Sequence, residues 1–312
     1  MLNNLIARRR ARKAALQSDT PTNSGRRGFM GGFGAAAAGA TALGVLGGGV
    51  NRASAANIDV AILQFALNLE YLEAEFYSRA VTGFGLGAVN TGNSTSTVIG
   101  GRKVNFTSPL IAAYAQEIAV EERRHVLFLR SALGSNAVNE PVIDLKNSFV
   151  ALGQLTGLSN NFDPFADDFS FLLASYVFED VGVSAYHGAA TLITNPAYLD
   201  AAAGILAVEA YHAGLVRTVL FANGYMQQTA AISKLRAQLD GTYGTANLDD
   251  QGVGNNQYPH IVLASDPQNG AGNNNSIAYD RTTRQVLNIV YGGVNASKGL
   301  FFPNGLNGTI VS

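Results

Sequence analysis

The chain has 312 residues, 47% hydrophobic and 14% charged, a balance too apolar for a disordered chain and too low in charge for a nucleic-acid binder. Cysteine is absent, which excludes disulfides, cysteine-ligated zinc and iron–sulfur clusters, and thiol chemistry. The net charge of −1 conceals a split: residues 1–55 hold eight Lys/Arg and one acid, and the rest carry thirteen bases against twenty-one acids, net −8, so the body suits neither nucleic acid nor an anionic membrane surface.

Residues 1–55 read as an export signal. A basic stretch, Arg8-Arg-Arg-Ala-Arg-Lys13, precedes Ser24-Gly-Arg-Arg-Gly-Phe-Met30. An uncharged run from Gly31 to Val50 follows, with eight Gly and six Ala, and closes on Ala53-Ser54-Ala55. Basic, apolar, then A-x-A is the order of a secretory signal. The pair Arg26-Arg27 resembles a bacterial twin-arginine signal. The run is long enough for a membrane anchor, but its glycines weaken that reading. The expectation is export with cleavage after Ala55, membrane contact during export only, and a periplasmic or extracellular mature protein.

The mature chain then alternates helices and loops. Ile62, Phe65, Leu69, Leu72 and Phe76 recur at helical spacing, which predicts a helix from Ile58 to about Thr82. A Gly/Asn/Ser/Thr-rich loop covers Gly83–Asn105. A second helix starts at the Thr107/Ser108 cap with Pro109 in its first turn and runs to Leu133-Gly134. A shorter helical stretch falls within 141–160. The third long helix spans about Asp167 to Ile193. Asn195-Pro196 starts a fourth, which ends at Asn223-Gly224, and Thr229–Leu239 makes a fifth. From Gly241 the last 72 residues hold 11 Gly and 11 Asn. Within them Thr282–Tyr291 reads as helical, and Leu300-Phe-Phe-Pro303 predicts docking onto the bundle. The division expected is 1–55 signal, 56–240 helical bundle and 241–312 packed extension, an all-α chain.

Chemistry concentrates on the four long helices. The second carries Glu122-Arg-Arg-His125 and the fourth Glu209-Ala-Tyr-His212. Each Glu-x-x-His places both side chains on one helix face. The first helix has Glu70 and, two turns on, Tyr77; the third has Glu179 and, two turns on, Tyr186. The helices thus alternate Glu, Glu-x-x-His, Glu, Glu-x-x-His, a weak internal two-fold repeat. Four carboxylates facing one bundle interior would be very costly without cations. Two divalent ions offset that charge, and carboxylate plus imidazole suits iron or manganese, and zinc on affinity grounds.

With these motifs, residues 57–240 resemble a ferritin-like domain of the rubrerythrin and bacterial desiccation-related kind. Leu67-Asn-Leu-Glu-Tyr-Leu-Glu-Ala-Glu-Phe-Tyr77 and Phe302-Pro-Asn-Gly-Leu-Asn-Gly308 resemble that exported group most. The resemblance implies a ferritin-like four-helix bundle with Glu70 and Glu179 as single-Glu ligands, Glu122 and Glu209 as bridges, and His125 and His212 capping one metal each. Glu73 competes with Glu70 as the first-helix ligand. Tyr77 and Tyr186 are either redox partners or core residues with hydrogen-bonded hydroxyls. Glu121 should be a solvated helix charge, about 100° off the ligand face; Arg123 and Arg124 should face solvent or pair with Glu121 or Glu117; His187 and His260 should be structural. Two functions follow. One is an oxidoreductase with two iron or manganese ions acting on oxygen, peroxide or ferrous ion. The other is an exported, desiccation-linked scaffold with structural or absent metal. Homo-oligomers are compatible with both, although the appended segments argue against a storage shell.

Overall fold

The computed structural model describes residues 52–92, 97–245, 249–254 and 277–312, all within one compact unit, Val50–Ser312. The basic and Gly/Ala-rich segments of the export reading, and His260, lie outside the described residues.

Helix α1, Arg52–Thr82, starts six residues before Ile58. Its first turns contain Ala53, Ala55 and Ala56, which favour a helix without contributing an apolar period. The loop that follows contains a one-turn helix α2, Ala88–Thr91, and a two-residue strand β1, Val98–Ile99. Helix α3, Pro109–Leu133, begins where Ser108 Oγ accepts the Ile111 N–H, with proline at the first position. Strand β2, Ile143–Asp144, pairs in parallel with β1, Val98 opposite Ile143. Forty-three residues separate them, so no local pattern announces the pair. Helix α4, Asn147–Thr156, follows. Helix α5, Asp168–Ala190, is capped by Asp167, which accepts from Phe169 and Ser170 N–H. Asn195 caps helix α6, Pro196–Ala222. Helix α7, Met226–Asp240, opens three residues earlier than Thr229. In helix α8, Thr283–Tyr291, Thr282 and Gln285 form a reciprocal capping box, and Gly292 closes the helix at φ 70°.

The four long helices α1, α3, α5 and α6 form the bundle, as the all-α expectation required. Packing is most extensive within the pairs α1/α3 and α5/α6. Every residue of α5 from Phe171 to Tyr186 is buried. A helix buried all round is a core helix, and the C-terminal segment covers part of α5 on its outer side. Phe301 packs edge-to-face on Phe149 and Phe178, 5.2 and 5.0 Å between ring centres. Asn68 and Asn307 exchange hydrogen bonds of 2.8 and 3.0 Å, and Ser148 Oγ donates to Leu300 O at 2.6 Å. These contacts set Leu300, Phe301 and Asn307 against α1, α4 and α5.

A buried ion network completes the attachment. Asp180 on α5 accepts from Arg217 on α6 and Arg236 on α7, each at 2.8 Å. Asp250 accepts from Arg236 at 2.7 Å and Arg281 at 2.6 Å, and Asp240 from Arg281 at 2.9 Å. All six side chains are buried. Three cations meet three anions, which offsets the desolvation cost. Four of the six lie beyond the bundle helices, and Asp250 and Arg281 stand on either side of 255–276, so the network clips both flanks of that segment to the bundle.

Candidate metal centre

The centre lies between the helix pairs, where each bundle helix turns a carboxylate inward. Glu70 (α1), Glu122 (α3), Glu179 (α5) and Glu209 (α6) are all at most 1% exposed. Their ligand atoms fall into two groups, each within 4.8 Å. Glu70, Glu122, His125 and Glu209 form one; Glu122, Glu179 and His212 form the other. Glu122 belongs to both. His125 Nδ1 stands 3.2 Å from Glu70, 3.5 Å from Glu122 and 3.6 Å from Glu209. His212 Nδ1 stands 3.0 Å from Glu122 and 3.4 Å from Glu179. The structure thus brings all six sequence-selected groups together. Glu209 enters only the His125 group, whereas the resemblance implied a second bridge.

Tyr77 and Tyr186 reach across the bundle reciprocally. Tyr77 Oη donates to Glu179 Oε1, and Tyr186 Oη donates to Glu70 Oε1. Both tyrosines are buried and their hydroxyls are pushed well above the usual phenol range, by burial first and then by those carboxylates. A proton held there fixes one oxygen of each carboxylate and leaves the other facing inward.

The two-fold repeat extends further than Glu, His and Tyr. Asp59 accepts from Thr194 N–H (2.7 Å), Thr194 Oγ1 (2.9 Å) and Asn195 N–H (2.9 Å). Asp168 accepts from Thr107 N–H (3.0 Å), Thr107 Oγ1 (2.6 Å) and Ser108 N–H (2.8 Å). Each aspartate stands eleven residues before the single Glu of its helix, and each threonine fifteen before the Glu of the Glu-x-x-His helix. An Asp on one helix therefore sets the start, and so the register, of a helix in the other pair. This signal was in the sequence: Thr-x-Pro precedes both α3 and α6.

Burial pushes Glu70 up to about 7 against the pull of His125. Burial also raises Glu179, Glu73 and Glu209, the last two far above the ordinary range with neighbouring carboxylates adding to it. Glu122 goes the other way: burial opposes ionisation, but His125 and His212 hold it below the usual carboxylate range. Burial opposes charging of the imidazoles too, yet the carboxylates, Glu70 and Glu179 foremost, lift His125 to about 11 and His212 to about 12. Without other cations, protons must neutralise this cluster.

Eight buried atoms of these six residues make no hydrogen bond: Glu70 Oε2, both oxygens of Glu122 and Glu209, Glu179 Oε2, and Nδ1 of both histidines. Buried polar atoms are almost always satisfied. Here the orphans are all donors to a cation and all converge, so the residues fit bound metal, with oxygen and imidazole nitrogen suiting a first-row divalent ion.

The remaining sequence candidates separate clearly. Glu73 is buried beside the centre but outside both donor groups; a Cβ at Gly182 would meet Glu209 Oε2 at 2.3 Å, so the missing side chain makes room for the Glu209 carboxylate. Glu121 is the clear correction. Instead of pointing only at solvent, it accepts from His212 Nε2 at 2.8 Å. The 100° offset takes it off its own helix's ligand face and onto the histidine of α6, a contact invisible to periodicity. Arg123 and Arg124 are exposed as expected, and His187 joins neither group.

Comparison with known proteins agrees with this architecture. The ferritin-like domain family matches residues 58–222, which span all four bundle helices and both donor groups. The chain is 30% identical over 277 residues to the desiccation-related protein PCC13-62 of Craterostigma plantagineum, covering 80% of this chain and 83% of that one. It is also 30% identical over 276 residues to the ferritin-like catalase Nec2 of Nesocodon mauritianus, covering 81% and 84%. No solved structure matches. The chain belongs to the ferritin-like domain family.

Proposed function

We propose that this chain binds two iron or manganese ions and disproportionates hydrogen peroxide, turning two molecules of peroxide into two of water and one of oxygen. The observation that carries the reading is Glu122, a carboxylate shared by two converging donor groups whose inward atoms have no other partner. Four ligand carboxylates match the charge of two divalent ions. The similarity to a protein named a ferritin-like catalase supports peroxide as the substrate. Bound metal supplies the two-electron redox capacity that peroxide chemistry needs.

The protein's own groups supply the rest. Tyr77 and Tyr186 orient Glu179 and Glu70 and act as positioning residues. Glu73, buried beside the centre and outside both donor groups, stands where burial favours a carboxyl proton and would pass it to a peroxide oxygen. Export through the Arg26-Arg27 signal would place this activity in stress protection outside the cytoplasm.

The test is metal content of the mature protein and oxygen evolution from peroxide after loading with iron or manganese. About two ions per chain are expected, with both metal and oxygen evolution lost in Glu122→Ala. A protein that takes up neither metal would overturn the reading and leave a metal-free scaffold role. Two bound ions without oxygen evolution would remove peroxide as substrate and leave ferrous ion or oxygen.

A further inference from the structure

The two-fold repeat is broken at one position that touches a ligand. Glu121 immediately precedes Glu122; the equivalent residue, immediately before Glu209, is Val208. Glu121 is partly buried, its side chain 32% exposed, and its Oε2 lies 2.8 Å from His212 Nε2. A carboxylate there holds a ring proton on Nε2, so Nδ1, which lies 3.0 and 3.4 Å from Glu122 Oε1 and Glu179 Oε2, is the nitrogen that would turn its lone pair to a metal. Valine has no acceptor and cannot do the same for His125. A carboxylate behind a metal-bound imidazole both fixes the ring and raises its basicity, and removing such a partner costs about 10–100-fold in metal affinity.

We propose that Glu121 is a positioning residue for His212, and that its lack of a counterpart makes the two metal positions chemically inequivalent. The His212 position draws on a three-donor group backed by Glu121. The His125 position draws on four donors and has no acidic support from Val208. The centre is therefore a pair of distinct sites on a nearly symmetric frame, one reinforced from outside its donor shell and one not. This rests on the di-metal reading above.

The experiment is cobalt(II) binding to the metal-free full chain, followed by equilibrium dialysis and visible absorbance, for wild type, Glu121→Gln, His212→Ala, His125→Ala and the two combinations with Glu121→Gln. Thermal melts of the metal-free forms check folding; a conservative change at a partly exposed residue should leave them unmoved. In Glu121→Gln, one of the two ions should bind about 10–100-fold more weakly and the other unchanged. In the His125→Ala background the loss should persist; in the His212→Ala background it should vanish, because Glu121 acts through His212. Two ions bound with affinities that Glu121→Gln leaves within about twofold, or an equal loss in both backgrounds, would overturn the inference while leaving the di-metal reading intact. A wild-type chain that binds no cobalt would instead sink the di-metal reading itself.

Discussion

Replacing Gly182 by alanine separates the stability of the bundle from its affinity for metal. Gly182 lies on α5, one turn beyond Glu179. An added Cβ would stand 2.3 Å from Glu209 Oε2 and 3.2 Å from its Cδ. Non-bonded heavy atoms settle near 3.5 Å, so the Glu209 carboxylate must retreat by about 1 Å. Site geometry tolerates about half that. Alanine in a helix interior gains about 0.5–1 kcal/mol over glycine, and the obstacle is the end of a side chain rather than backbone. The metal-free variant should therefore melt at or slightly above the wild-type temperature. The His125 group, however, loses the geometry of one of its four donors, for which about a 100-fold loss of affinity is a fair measure. At a metal concentration 1,000 times the wild-type dissociation constant, stabilisation by that ion falls from about 4 to about 1.4 kcal/mol. Melting curves across a manganese or cobalt titration read both quantities at once. An undiminished metal-dependent rise in Tm would refute Glu209 as a donor. A metal-free variant destabilised by more than about 1 kcal/mol would show that the backbone, not the carboxylate, gives way.

Other positions give sharper single readouts. Gly188→Ala makes the same helix-favouring change, but its Cβ would lie 2.0 Å from the backbone oxygen of Arg281, which the ion network holds; a loss of about 1–3 kcal/mol is expected, with faster proteolysis of the C-terminal segment, and an unchanged melt would refute that attachment. Tyr186→Phe removes the donor to Glu70 Oε1; urea unfolding of the metal-free protein should show a loss of about 1–3 kcal/mol, and no loss would mean that water replaces the hydroxyl. Glu140 is buried, and that burial, helped by Glu75, pushes it up to about 9. Its folded pKa lies above its unfolded one, so the stability it contributes is complete below about 4.5 and drains away as pH rises toward 9. Glu140→Gln should flatten the fall of the unfolding free energy between pH 5 and pH 9, by at most about 1.4 kcal/mol per pH unit; an unchanged slope in urea unfolding would remove Glu140 from the account.

What the sequence by itself determined was local. Periodicity and caps placed α3, α5 and α6 within three residues, because Ser108-Pro109, Asp167 and Asn195-Pro196 satisfy helix N-termini with their own neighbours. Two Glu-x-x-His motifs and two matched Glu–Tyr pairs marked the inward faces, because helix geometry alone puts residues three, four and seven apart on one side. What only the tertiary structure decided was which faces meet. Tyr77 bonds Glu179 and Tyr186 bonds Glu70, each across the bundle rather than along its own helix. Glu122 rather than Glu209 is shared between the donor groups. Glu121 finds His212 on another helix, and Arg217, Arg236 and Arg281 find aspartates that are distant in sequence. The physical reason is common to all of these: a side chain's direction on its helix is fixed within the helix, but its partner is set by the rotation and register of the helix opposite. Here aspartates 59 and 168 set that register by holding the first turns of α6 and α3.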